Sequence, residues 1–280
     1  MKKFIKRVFE IVLEETLAKQ TYINQRLLTA SIVNSKAFKK YKGVLRGKDA
    51  VLIAAGPSAA DFKLIKEAVY IGCNRAFLLK DVQFDFLFSI DKVGIDKYYK
   101  DFFEYREGSC IKFIGDQNLG KDYQIPENII PLEDKNTFRY ITNAGIESAF
   151  KHFPLDISTA PLYNSSTVSI QALQFILYTQ PRRIYIVGVD CTCSTKKHFI
   201  GQDTDCSFRG EDVAQTDKYS IESYKLLKEF AQTYYPLTEI ISVNPVGLKG
   251  LFEDVYTQSY IEKNKDLIKN KKINLKILKE

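Results

Sequence analysis

The sequence predicts an α/β protein: one mainly parallel sheet with a helical extension at each end. Three observations carry that reading. Short β-rich runs alternate with stretches of helical periodicity at spacings suited to βαβ units. No Pro/Gly/Ser linker, low-complexity stretch or internal repeat divides them. The 280 residues, 45% hydrophobic and 27% charged, supply one large core.

The elements follow in order. The segment KKFIKRVFEIVLEETLAKQ spaces Phe4, Ile5, Val8, Phe9, Val12, Leu13 and Leu17 three and four residues apart, which predicts an amphipathic helix. Lys2, Lys3, Lys6 and Arg7 open its polar face. Such a helix suits an anionic bilayer surface, and equally packing on its own domain or on a second subunit in a homo-oligomer. Residues 1–46 are assigned to this extension and 47–250 to the α/β core. Within the core, strands are expected at 50–55, 68–73, 84–90, 110–114, 183–189 and 239–243. Helices are expected at 58–66, 95–105, 141–151, 166–178 and 219–234. Residues 251–280 form a basic tail whose end, IEKNKDLIKNKKINLKILKE, lacks glycine and proline. It reads as a solvated helix, with surface anchoring as the sharper alternative.

Composition excludes several classes. A formal charge of +7 and a pI near 8.9 favour anionic partners. The basic residues gather at the two ends instead of interleaving with aromatics, which argues against nucleic acid. The five cysteines (Cys73, Cys110, Cys191, Cys193, Cys206) are odd in number and no signal peptide precedes them, so a reducing cytoplasm is expected. The one-residue spacing of Cys191 and Cys193, with only two histidines in the chain, gives zinc little support. No apolar run approaches a membrane span.

Open parallel sheets bind ligands beyond the carboxyl ends of their strands, so the residues just after each apolar run are the candidates. The first run ends in Gly56-Pro57-Ser58. Glycine admits close approach to the backbone, proline fixes φ at a helix start, and free amides there favour a phosphate. A plain strand-to-helix turn explains the same residues. The second run ends in Asn74-Arg75, an amide suited to a base or ribose and a guanidinium suited to phosphate; a turn asparagine beside a surface arginine is the alternative. The third ends in Ser89 and Asp91, a carboxylate for a hydroxyl or metal, or a helix cap. Asn164, Ser165, Ser166 and Thr167 crowd the start of an apolar helix, as caps or as a second polar clamp. The run IYIVGV delivers Asp190, followed by a long polar stretch with Ser194, Lys196, Lys197 and His198. A histidine serves as a general base near neutral pH, although a lone one, like His152, is more often structural.

Taken in series, these stretches resemble the bacterial sialyltransferases of glycosyltransferase family 42 and the related group that includes 6-hydroxymethylpterin pyrophosphokinase-like domains. Ala54-Ala55-Gly56-Pro57-Ser58 matches the family's Gly-x-Gly-Pro-Ser loop, and Cys73-Asn74 its Cys-Asn pair. Ser166-Thr167-Val168, Gly188-Val189-Asp190 and His198-Phe199-Ile200-Gly201 resemble its later motifs. The match spans residues 50–202. The resemblance implies the type A glycosyltransferase variant of the Rossmann-like fold. It also implies a nucleotide-sugar donor, CMP-linked in the sialyltransferases and used without a required metal. Gly56, Ser58, Asn74 and Ser166 would contact the nucleotide. Pro57, Arg75, Asp91, Ser165, Thr167, Lys196, Lys197 and Gln202 complete the expected donor site. Ala55 stands where the family has an asparagine, and Gln202 where it has its catalytic histidine, so His198, Asp190 or Asp203 would take the acceptor proton.

The function expected is therefore a glycosyltransferase passing a sugar to a cell-surface polysaccharide or lipid-linked glycan, such as capsule or lipopolysaccharide. It would work in the cytoplasm, in peripheral contact with the cytoplasmic face of the inner membrane. Two alternatives stand beside it. One is an ATP-dependent pyrophosphokinase with a divalent metal on Asp91 and Asp190. The other is a non-catalytic nucleotide-binding module, motivated by Ala55 and Gln202.

Overall fold

The computed structural model describes residues 2–90, 98–115, 136–147, 149–165, 167–191, 213–265 and 276–278. Eight strands form a single sheet: β1 Asp49–Ile53, β2 Val69–Cys73, β3 Phe86–Ser89, β4 Ile111–Gly115, β5 Thr137–Tyr140, β6 Arg183–Val187, β7 Glu239–Val243 and β8 Glu253–Val255. Their order is β5-β4-β3-β2-β1-β6-β7-β8, and every pairing is parallel. The expected "mainly parallel" sheet is thus wholly parallel over the described residues, and its central strands are buried on both faces as such sheets require.

Six of the strands lie where apolar runs predict them. The two edge strands do not, because β5 (TFRY) and β8 (EDV) are short and polar. β8 carries the sheet past residue 250, into the stretch assigned to the tail, and Tyr256 makes a further bridge to Ile277. The rest of that tail, where described, holds only the short helix α5, Gln258–Lys263.

Helix α1 runs Lys2–Phe38, about 55 Å at 1.5 Å per residue, and is much longer than the sequence periodicity marks. Its last turns pack beside β5, with Ala30, Ala37 and Phe38 fully buried. Residues 13–22 are exposed on every side. Asn34 anchors the helix: its carboxamide accepts from Ile141 N at 2.7 Å and donates to the carbonyls of Ile141 and Ala160. Helix α2, Tyr99–Glu104, lies within the expected 95–105. Helices α3, Val168–Thr179, and α4, Val213–Tyr234, match expectation within a few residues. No described helix is long and apolar enough to cross a membrane.

Two expected helices do not form. Residues 58–66 make only the 3-10 turn Pro57–Asp61. The described residues of 141–151 form no helix, with Gly145 at φ +79° in the left-handed region that interrupts one. Two apolar layers sandwich the sheet. On one face all of α3 is buried against Phe88, Phe113, Tyr140 and Ile186; on the other, Val51, Ile53, Leu87, Cys110 and Ile114 meet Phe77 and Phe102. α3 leads into β6 and α4 into β7, so both helices start at the carboxyl edge of the sheet.

Candidate functional site

From β1 the chain steps outward through β2, β3, β4 and β5, then returns to place β6 on the other side of β1. That reversal is the topological switch point at which open α/β sheets bind ligands. Two loops meet there: Ala54–Ser58 after β1 and Gly188–Cys191 after β6. They approach so closely that a Cβ on Gly56 would lie 2.4 Å from the Gly188 carbonyl and 2.7 Å from Asp190 Cγ. One on Gly188, at φ +68°, would lie 2.5 Å from the Ala54 carbonyl. Backbone bonds from Ala54 N to Val187 O and from Gly56 N to Gly188 O lock the pair. Glycine at 56 is therefore required by the neighbouring strand end, whether or not a ligand also approaches it.

The amides expected to cradle a phosphate are already partnered. Ser58 N donates to Asp190 Oδ2 at 2.9 Å, and Ser58 Oγ donates to Asp190 Oδ1 in a short bond. Ala59 N closes the turn on Gly56 O. The chain's own carboxylate thus occupies the anion position of this turn. Asp190, 5% exposed, positions Gly56-Pro57-Ser58 with both oxygens, which ill suits the base or metal-ligand role. The far side of the turn is clamped by α5: Thr257 Oγ1 and Ser259 Oγ donate to Asp61 O, and Lys263 pairs with the Asp61 carboxylate.

At the end of β2, beside this loop, Asn74 takes φ +50°. Its Oδ1 accepts from Ser89 Oγ at 3.0 Å, which fixes the carboxamide plane while its amide N–H groups bond to no described residue. It is half-buried. Arg75 is buried with its guanidinium 5.5 Å from the Tyr98 ring centroid, and its Nε has no hydrogen-bond partner. Among the described residues, six non-glycine residues have positive φ. Asn74, Cys191 and Asn244 among them follow β2, β6 and β7 at the carboxyl edge, the placement expected where a fold stores strain for binding.

The small side chains at the start of α3 serve the helix. Thr167 Oγ1 caps it by accepting from Ser169 N, and Ser165 Oγ bonds within the same turn. Ser169 Oγ shares a short hydrogen bond with Tyr224 OH on α4; burial holds that phenol well above its ordinary pKa. Asp91, Ser166, Lys196, Lys197, His198, Gln202 and Asp203 lie outside the described residues. Asp190, Gly56, Pro57 and Ser58 come together, and Asn74 and Arg75 stand at the adjacent strand end.

Sequence reasoning missed a second polar group at this edge. Asn244, fully buried just past β7, donates from Nδ2 to Thr257 Oγ1 and accepts from Thr257 N. With Ser58, Asp190, Pro245 and Leu248 it lines a small cleft. Gly247 N donates to the Asp190 carbonyl at 2.9 Å. Tyr260 stands close by: burial raises its pKa, and the charges of Asp190 and Asp61 add to the rise. An asparagine at a strand end before Pro245, in SVNP, was the one available signal.

No family model and no curated protein matches the chain. The solved structures to which the chain is similar include three sialyltransferase structures from Campylobacter jejuni. The first is CstII in complex with the substrate analogue CMP-3FNeuAc, with TM-score 0.44, 12% identity, and coverage of 74% of this chain and 85% of that one. The second is the monofunctional α-2,3-sialyltransferase Cst-I, with TM-score 0.45, 15% identity and coverage of 70% and 75%. The third is an α-2,3-sialyltransferase in apo form, with TM-score 0.41, 16% identity and coverage of 71% and 78%.

Proposed function

We propose that this protein is a glycosyltransferase that takes its sugar from a nucleotide-linked donor, CMP-linked by preference, and passes it to a hydroxyl of a glycan or lipid-linked acceptor. The observation that carries the reading is Asn74. It is held in a left-handed backbone conformation with its carboxamide pinned by Ser89, and its amide, which bonds to no described residue, lies at a strand end beside the switch-point loop. Three of the motifs that resemble family 42, around Gly56, Asn74 and Asp190, fall on the adjacent strand ends β2, β1 and β6.

In this mechanism Asn74 hydrogen-bonds the nucleoside and Arg75 supplies positive charge near its phosphate. His198 accepts the acceptor's hydroxyl proton as the oxygen bonds to the anomeric carbon, and the nucleotide leaves with the electrons of the broken glycosyl–oxygen bond. Lys196 and Lys197 offset the charge developing on the leaving phosphate. Asp190 acts through Ser58 as a positioning residue. With both its oxygens taken by Ser58, the geometry favours sugar transfer over a pyrophosphokinase that places a metal on Asp190. The exposed turns of α1 with the basic residues before them supply the proposed peripheral contact with an anionic membrane.

The test is thermal stabilisation by CMP, UDP, GDP and ADP and their sugar conjugates, since a ligand at 100 times its Kd adds about 2.7 kcal/mol. CMP or a CMP-sugar is expected to raise the melting temperature most, and purified protein to release CMP slowly from the conjugate. A protein stabilised by none of these ligands refutes the reading; one stabilised without any release of nucleotide is a binding module.

A further inference from the structure

On the sheet face turned away from α3, two basic side chains have buried nitrogens with no partner among the described residues. Lys112, on β4, is fully buried, and its Nζ has no hydrogen-bond partner. Arg139, on β5, has a buried Nε that likewise lacks one. Side chains alternate along a strand. Phe113 and Tyr140 belong to the α3 layer and Cys110 and Ile114 to the opposite one, so Lys112 and Arg139 share the opposite face. The register pairs Lys112 with Thr137 and Ile114 with Arg139, making the two cations diagonal neighbours, a separation of about 7–8 Å that long side chains span.

Such groups are not left uncompensated at no cost. An arginine does not shed its proton in a protein, and a buried charge calls for a partner. Asp85 does not supply it: its carboxylate accepts from Tyr70 N at 2.8 Å, and no ion pair joins it to Lys112 or Arg139 among the described residues. Lys112 is nevertheless felt nearby: burial pushes the Cys110 thiol up to about 12, and Lys112 acts against that rise.

We infer that Lys112 and Arg139 bind an oxyanion, a phosphate or carboxylate, on the sheet face opposite α3. β4 lies three strands from β1, about 14 Å at the usual strand spacing, so this position is separate from the Gly56 loop. Lysine contributes a point charge and arginine a directed fork, the pairing that recognises phosphate. The anion is either a free inorganic ion or an acidic group carried by a larger ligand, and the choice of probe separates them.

The experiment uses the full chain and measures melting temperature and equilibrium dialysis with inorganic phosphate, then acetate, with sodium chloride at matched ionic strength as control. Phosphate is expected to raise the melting temperature and bind once per chain. Lys112→Met, which keeps the side chain's length without its charge, is expected to melt no lower than wild type in phosphate-free buffer and to bind phosphate roughly 10- to 100-fold more weakly. Arg139→Gln provides the same comparison should Lys112→Met fail to fold. A response to acetate but not phosphate assigns the position to a carboxylate on a larger ligand. Wild-type protein that responds to neither anion, or variants that bind phosphate as well as wild type, overturn the inference. Asn74→Gly separates it from the glycosyltransferase reading, because that variant is expected to lose nucleotide binding and keep the phosphate response.

Discussion

The Asp190 carboxylate accepts both the backbone N–H and the hydroxyl of Ser58, joining the end of β6 to the turn after β1 across 132 positions of sequence. A buried carboxylate placed on a turn's first free amide does what a bound phosphate would do there. Asp190→Ala is expected to lower unfolding free energy by about 2–3 kcal/mol, since it orphans a buried donor pair. A double-mutant cycle with Ser58→Ala should return a coupling of about 1–3 kcal/mol. Additive effects in urea titrations would show that the two residues act separately.

Gly56→Ala tests the close approach of the two loops. Its new Cβ meets the carbonyl of Gly188 and the Asp190 side chain, neither free to withdraw, so a loss of about 1–3 kcal/mol is expected from overpacking. Nucleotide affinity should fall with it. Unchanged stability alongside lost affinity would mean that Gly56 serves the ligand alone.

Asn74 offers a cleaner separation of fold from function. Asn74→Gly keeps the positive φ at no steric cost and removes the carboxamide, so nucleotide affinity should drop roughly 10-fold or more with little change in melting temperature. Asn74→Ala should add about 1 kcal/mol of backbone strain to the same loss. Calorimetry that finds Asn74→Gly binding like wild type removes this residue from the site.

Alkaline pH should loosen the fold. Burial pushes the hydroxyls of Tyr41, Tyr235 and Tyr256 up to about 12, against about 10 in an unfolded chain. The folded state therefore holds protons that the unfolded state releases, and the stabilisation present below about pH 10 is lost as pH rises toward 12. Urea midpoints at pH 8, 9.5 and 11 should decline along this series; a flat profile through pH 11 contradicts the burial of these phenols.

Asn34 governs the docking of α1. Asn34→Ala leaves the amide of Ile141 and the carbonyls of Ile141 and Ala160 without the partner they have now, a loss of about 2–3 kcal/mol. Proteolysis should then cut α1 faster than in wild type. Equal protection would show that Ala30, Ala37 and Phe38 hold the helix by packing alone.

What the sequence determined by itself is the part written in local periodicity. Apolar runs marked six strands and the long helix α3, because each buries a repeating face on any parallel sheet. The edge strands β5 and β8 were invisible, since Arg139 and Glu253 at an edge carry no such repeat. Gly56 was legible as an obligatory glycine, but only the fold shows that Gly188 and Asp190 crowd it. Asp190 has the residue type of a catalytic base, and only the fold shows its carboxylate accepting from the distant Ser58. Lys112 gives no sign in IKFIG that its ammonium is sealed inside. Residue type and spacing are local properties, whereas the role of a carboxylate, an amide or an ammonium is set by what lies within hydrogen-bond reach, and long-range contact alone decides that.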